Sequence, residues 1–217
     1  MNRPRIIINC AMSADGKIAS PSGKQVRISS EEDMKRVYVL RNTVDAVLVG
    51  IKTILNDDPK LTVKEKYVSH PHQPIRIVLD THCRTPEHAL VVNNKAKTII
   101  VKGENETCSK NYNDTVTILS VPVKKEMLDL QIMLEKLSNQ GIHSLLVEGG
   151  GTVIYNFITK GFVDDLFIYI GSMIIGGTQT PTMAMGPGFE QENQFPRLRL
   201  LNVSQSGDGV LLHYQLR

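Results

Sequence analysis

The stretch Leu145-Leu-Val-Glu-Gly-Gly-Gly-Thr152 constrains the fold more than any other part of the chain. Three apolar residues suit a buried strand, Glu148 ends it, and three glycines open what the pattern predicts as a helix from Thr152 to Lys160. A strand that passes through glycines into a helix is also a place for an anion. Backbone N–H groups point outward there, the helix dipole favours negative charge, and glycine puts no Cβ in the way. Glu148 would stand at the carboxyl end of its strand, where open α/β sheets hold their ligands. The same residues would serve a tight βα turn with a solvated glutamate, so the stretch alone leaves both readings open.

The rest of the chain repeats the alternation. Residues 5–12, 45–50 and 75–79 are short apolar, β-branched runs that predict buried strands, with further strands at 97–101 and 116–119. Ser29 or Ser30 is expected to cap a helix, with a capping box from Ser29 to Glu32 and Met34, Val37, Tyr38 and Arg41 on one face. Ile51–Leu55 reads as a short helical piece stopped by Asn56-Asp-Asp-Pro59, and Leu61–Val63 as extended. Lys124–Gln140 reads as the clearest helix, striped by Met127, Leu130, Leu134 and Leu137. Beyond the glycines come a strand at 164–170, a long Gly/Pro/Thr/Met loop at 178–196, and two strands, 198–204 and 210–216, joined by Ser206-Gly-Asp-Gly209. The expectation is a single α/β domain over residues 1–217, with a mostly parallel central sheet, an antiparallel C-terminal edge and helices on both faces.

Composition excludes several classes. With 22% charged residues and a net charge of +3, the basic side chains are scattered and form no nucleic-acid tail. No apolar run approaches the roughly 20 residues that span a bilayer, and no signal peptide is legible at the N-terminus. Cys10, Cys83 and Cys108 are odd in number, far apart and without a Cys-x-x-Cys pair, which supports neither a zinc site nor a disulfide framework and suits a reducing cytoplasm. His70, His72, His82 and His88 lack partners at ligand spacing, so no metal is expected.

Four candidate sites fall at or just after the carboxyl ends of predicted strands: Ser13–Lys17, Gly50–Asp57, Asp80-Thr81 and Glu148–Thr152. Thr53 and Asp57 lie four apart and would share a helical face, the hydroxyl suited to a phosphate and the carboxylate to an amide or ribose hydroxyl. A polar helix ending in an Asx-type turn would look the same. Arg41 sits where a bundle core would want leucine; it invites an anionic partner through its planar fork, or it snorkels to water.

Taken together, Met12-Ser-Ala-Asp-Gly-Lys17, Arg41-Asn-Thr-Val-Asp-Ala-Val-Leu-Val-Gly50, Thr53 through Val63, Arg76-Ile-Val-Leu-Asp80 and Glu148-Gly-Gly-Gly-Thr152 resemble the reductases of riboflavin biosynthesis, in particular their stand-alone archaeal branch. The same domain forms the C-terminal half of bacterial bifunctional deaminase–reductases. The resemblance implies a dihydrofolate-reductase-like fold and an NADPH-dependent homodimeric enzyme, with NADH an open possibility. It further implies that Thr53, Asp57, Thr81, Gly149, Gly150, Gly151 and Thr152 contact the cofactor, and that Arg41, Leu61 and Glu148 contact substrate. Two departures stand out. Lys64 replaces an arginine usual in bacterial members, and Arg27-Ile-Ser29 resembles archaeal members instead of the bacterial Ser-x-Trp pattern.

The implied reaction reduces the ribose of 2,5-diamino-6-(ribosylamino)-4(3H)-pyrimidinone 5′-phosphate to a ribityl chain. The 217 residues hold no deaminase zinc motif, which points to the diamino substrate. Glu148 is the expected catalytic group, with Arg41, Lys64, Arg27 and Lys17 as substrate contacts and Thr81, Arg84 or Lys102 as candidates for a cofactor 2′-phosphate. A reductase of this fold acting on the deaminated pyrimidine, a pterin or a folate, and a non-catalytic nucleotide-binding protein, are the competing readings. A phosphorylated pyrimidine is the expected partner; nucleic acid and membrane are not.

Overall fold

A computed structural model describes residues 2–217. In chain order the elements are β1 (Arg5–Ser13), α1 (Glu31–Thr43), β2 (Ala46–Gly50), α2 (Ile51–Asp57), β3 (Ile75–Leu79), β4 (Thr98–Gly103) and β5 (Val116–Val121). There follow β6 (Val123–Lys124), β7 (Met127–Leu128), α3 (Leu130–Asn139), β8 (Ser144–Gly149), α4 (Gly151–Thr159), β9 (Asp165–Gly171), β10 (Leu198–Ser206) and β11 (Gly209–Leu216). The chain divides into two compact units. One holds the N-terminal residues up to Arg5 and Tyr38–Leu146; the other holds Ile6–Val37 and Val147–Arg217. The division falls inside β1, α1 and β8.

In the first unit β2, β3, β4 and β5 pair in that order, all parallel. Every residue of β2 is buried, as a strand covered on both faces requires. One charge interrupts the apolar middle. Arg76, in β3, is fully buried and donates to the carbonyls of Leu90 (3.3 Å), Asn93 (2.6 Å) and Ala96 (2.5 Å) and to Asn93 Oδ1 (2.9 Å). Burial pulls its pKa down to about 10, so it keeps its proton at neutral pH. Its neighbour across the ladder, Thr98, donates to the Val91 carbonyl at 2.5 Å. The irregular segment between β3 and β4 is thus hung from two strand residues. Asp45, just before β2, accepts from the backbone of His143 (2.9 Å) and from both the backbone and hydroxyl of Ser144 (2.8 Å each).

Several sequence expectations change here. The helix expected from Lys124 starts at Leu130, because Asp129 caps it by accepting from Gln131 N (3.1 Å) and Ile132 N (3.3 Å). Met127, assigned to its stripe, lies exposed in β7, whereas Leu130, Leu134 and Leu137 are buried as expected. The reading of the cysteines is corrected: Cys83 and Cys108 form a disulfide, Cα–Cα 5.5 Å apart. They follow β3 and β4, which are adjacent parallel strands, and a sequence separation of 25 hides that neighbourhood. Cys10 is free and buried.

In the second unit β1 pairs parallel with β9, and β9, β11 and β10 continue antiparallel, which is the expected C-terminal edge. The helix cap is Ser30 rather than the Ser29–Glu32 box, its hydroxyl accepting from Asp33 N at 3.1 Å. Tyr169 is fully buried in β9; its hydroxyl accepts from Ser30 N (3.3 Å) and donates to the Ser206 carbonyl (3.2 Å). After β1, Asp15 accepts from Ser13 Oγ (2.6 Å), Ile175 N (3.0 Å) and Gly176 N (2.7 Å), and these bonds, Ser13's first, hold its carboxyl down to about 2. Among the described residues no helix is long and apolar enough to cross a membrane.

Arg76→Met should destabilise the protein by about 3 kcal/mol, because it leaves buried carbonyls without donors and replaces only the aliphatic stem. Urea unfolding of the two proteins checks this; equal midpoints would show that the guanidinium is dispensable.

Candidate functional site

The glycine run belongs to the second unit. β8 extends through Glu148 to Gly149, one residue further than the apolar pattern indicates, and α4 begins at Gly151. Glu148 is half-buried as the penultimate residue of the strand. Gly149 has φ 133°, which only glycine adopts without strain, and the Gly149–Gly150 peptide is cis. Gly150 is the N-cap, with ordinary extended angles (φ −68°, ψ −175°) and no side-chain cap on the helix. The first intrahelical bond runs from Ile154 N to the Gly150 carbonyl at 3.1 Å. A helix start that no side chain caps fits the diphosphate of a dinucleotide. Gly151 answers to something else: a Cβ there would lie 2.3 Å from the Thr182 carbonyl and 2.7 Å from Met185 Cγ. Two of the three glycines are therefore demanded by the protein's own structure, and Gly150 is the one whose φ and ψ are ordinary for any residue.

Lys17 meets the same loop. It bridges to Thr182, and its backbone N–H donates to Ser13 Oγ at 2.9 Å. Lys17 and Gly151 thus abut one segment, although they are 134 residues apart in sequence (151 − 17). Arg27, expected at the substrate, is exposed and pairs with Glu31 at 3.0 Å. Thr152 is exposed in the first turn of α4.

The first unit gathers three of the expected substrate residues. Tyr38 and Tyr67 stack with centroids 4.7 Å apart and planes 8° from parallel. Arg41 Cζ and Lys64 Nζ each lie 5.3 Å from the Tyr38 centroid. Arg41 also donates to the Thr62 carbonyl at 3.2 Å. Leu61, between them in sequence, is buried at φ 49°, so the expected extended run does not hold at this residue. Val63 lies outside any strand, and Gln73 accepts from its N–H (2.8 Å) and donates to its carbonyl (2.9 Å). Tyr38 was legible as a face residue three positions before Arg41. Tyr67 and Gln73, in a polar linker, carried no signal.

Thr53 and Asp57 both lie on α2, four apart and half-buried; the helix runs to Asp57, two residues past its expected end at Leu55. The left-handed cap that ends α2 is the next residue, Asp58 (φ 40°), whose carboxylate accepts from Leu90 N at 2.7 Å. Thr81 follows β3, its carbonyl accepting from Gly103 N at 2.9 Å. It lines a cavity of about 410 Å³ with His82, Asn105, Glu106, Val123 and Glu126. His82 Nδ1 stands 3.1 Å from Glu106 Oε1. Lys102, one candidate for a 2′-phosphate, instead donates to the carbonyls of Gly103 (3.0 Å) and Glu106 (2.7 Å). Arg84 stays half-exposed, 3.8 Å from Asp80 Oδ1. Among the described residues no cluster of three or more His, Cys, Asp or Glu could hold a metal.

The chain is 37% identical over 215 residues to the 2,5-diamino-6-ribosylamino-4(3H)-pyrimidinone 5′-phosphate reductase of Methanothermobacter thermautotrophicus, covering 99% of each. The enzyme of the same name from Archaeoglobus fulgidus is 37% identical over 215 residues, covering 95% of each. A crystal structure of the deaminase/5-amino-6-(5-phosphoribosylamino)uracil reductase of Thermotoga maritima superposes with a TM-score of 0.84 at 25% identity; it covers 99% of this chain, which spans 57% of that one. The fold is the dihydrofolate-reductase-like α/β fold of such reductase domains. Residues 4–212 match the RibD C-terminal domain, and the chain belongs to that family.

Proposed function

We propose that this chain catalyses the NADPH-dependent reduction of the ribose of 2,5-diamino-6-(ribosylamino)-4(3H)-pyrimidinone 5′-phosphate to the ribitylamino product in riboflavin biosynthesis, as a single reductase domain over residues 1–217 working in the cytoplasm. The observation that supports this reading most is that relatives carrying this reductase name align with the chain end to end. The helix start without a side-chain cap, directly after a strand-terminal carboxylate, supplies the matching chemistry.

The glycine run with Thr53, Asp57 and Thr81 would hold a reduced nicotinamide dinucleotide, whose chemistry would be hydride delivery to ribose C1′, with solvent providing the proton that the attached nitrogen takes. The remaining tasks belong to side chains. Gly149, Gly150, Gly151 and Thr152 present N–H groups to a diphosphate, with Thr53, Asp57 and Thr81 as further cofactor contacts. Arg41 and Lys64, steadied on the Tyr38 ring, are cations for the anionic part of the substrate; Leu61 is an apolar wall, and Lys17 and Arg27 are outer contacts. Ring opening of the ribosylamine gives an imine at C1′ and turns the ring oxygen into a hydroxyl. Glu148 holds the sugar hydroxyls, fixing C1′ for attack. In this reading the two unit-one cations set substrate affinity, and Glu148 sets the rate.

The protein is expected to work as a homodimer. β10 is an outermost strand, and Leu198, Leu200, Leu201 and Val203 along it are all exposed, a row that an isolated edge does not tolerate well. Val203→Lys should shift the protein from dimer to monomer in analytical ultracentrifugation; an unchanged sedimentation coefficient would remove β10 from the interface.

The activity itself is tested by loss of nicotinamide absorbance on mixing enzyme, NADPH and the ribosylaminopyrimidine phosphate, with dihydrofolate as the control that should give none. Glu148→Gln should lower kcat on the order of a hundredfold while NADPH affinity stays unchanged, since it keeps shape and loses charge at the sugar. Wild-type turnover in that variant would sink the role given to Glu148. Gly150→Val should weaken NADPH binding at least tenfold in a fluorescence titration, because the side chain would occupy the anion's place. An unaltered Kd would mean that no anion sits there.

A further inference from the structure

The segment Asp80–Thr85 is held by an unusual number of ties. Asp80 is fully buried and accepts from Thr85 N (2.6 Å) and Thr85 Oγ1 (2.7 Å). Cys83, in the middle, is buried at φ 52°, in the left-handed region that a residue with a Cβ rarely adopts, and its N–H donates to the Asp80 carbonyl at 3.1 Å. Around it the segment is tied to the loop after β4 by the Gly103–Thr81 backbone bond (2.9 Å), the His82–Glu106 pair (3.1 Å) and the bond from Tyr112 hydroxyl to the Thr85 carbonyl (2.7 Å). The covalent tie among these is Cys83–Cys108.

We propose that Cys83–Cys108 is a reversible thiol–disulfide site that sets cofactor affinity through the Thr81–Arg84 segment. The inference rests on the reading that Thr81 contacts the cofactor. Cys108 is half-exposed and Cys83 buried, so exchange enters at Cys108. A small-molecule thiolate attacks Cys108 Sγ; the disulfide breaks, Cys83 leaves as a thiolate and takes a proton, and a mixed disulfide forms on Cys108. A second thiol attacks the mixed disulfide, releasing Cys108 as a thiol and an oxidised small-molecule disulfide. Two thiols are oxidised and one protein disulfide is reduced. Cys10 does not compete, since burial pushes its thiol up to about 12. In the dithiol form the left-handed turn at Cys83 loses its covalent support, and the segment must be ordered at the expense of cofactor binding.

The test compares NADPH affinity, by fluorescence titration, in the protein oxidised with glutathione disulfide and in the protein reduced with dithiothreitol. Thiol titration after denaturation assigns the state, one thiol when oxidised and three when reduced. The reduced form should bind on the order of tenfold more weakly. Cys108→Ser should show the weaker affinity under both conditions. Should the variant fail to fold, the wild type in its two states still decides the matter. Equal affinities in the two states would overturn the switch and leave the reductase reading standing. Three free thiols after oxidation would also overturn the switch. Absence of NADPH binding in both states would overturn the cofactor reading, and the switch with it.

Discussion

A buried guanidinium organises the first unit. Arg76 sits in the buried middle of β3, and its terminal nitrogens donate to three backbone carbonyls and the Asn93 side chain rather than to a carboxylate. Carbonyls of an irregular segment cannot be buried unless donors reach them, and Arg76 with Thr98 reaches the stretch from Leu90 to Ala96. The arrangement leaves the opposite end of β3 free for a different task. There Asp80, also buried, shapes the turn that carries Thr81 and Cys83. One five-residue strand therefore has a buried guanidinium near its start and a buried, turn-shaping carboxyl just beyond its end.

The pattern of what the sequence disclosed follows from how local each signal is. β2, β3 and β9 were legible because apolar, β-branched runs have little choice but burial. α3 was misplaced at its start because Lys124–Leu128 has helix-forming residues. The deciding feature is a single capping carboxylate at Asp129. The disulfide was invisible, since it depends on which loops stand side by side once β3 and β4 have paired. Likewise Tyr67 reaches Tyr38 only after the polar linker has folded back.

Within the candidate site, residue types were easier to read than their reasons. The glycine run was correctly placed at a strand–helix junction, but two of its glycines have reasons internal to the protein as well. Gly149 serves its own dihedral angle and Gly151 the approach of Thr182 and Met185. Arg41 and Lys64 do converge, although the surface that gathers them is an aromatic stack rather than a pocket wall of like residues. Lys102 had the right chemistry for a phosphate, yet its donors are turned to carbonyls of its own loop.

Gln73 has a bearing on how such enzymes tolerate change. Its amide meets both backbone groups of Val63, so a side chain stands in for an absent neighbouring strand. Arg41 holds the neighbouring Thr62 carbonyl, so two side chains anchor this short run where a strand partner would supply a ladder. The segment bearing Leu61 and Lys64 would accordingly shift with changes at Gln73. A drifting lineage would have an inexpensive route there, altering the reach of one linker side chain while Leu61 and Lys64 themselves stay the same.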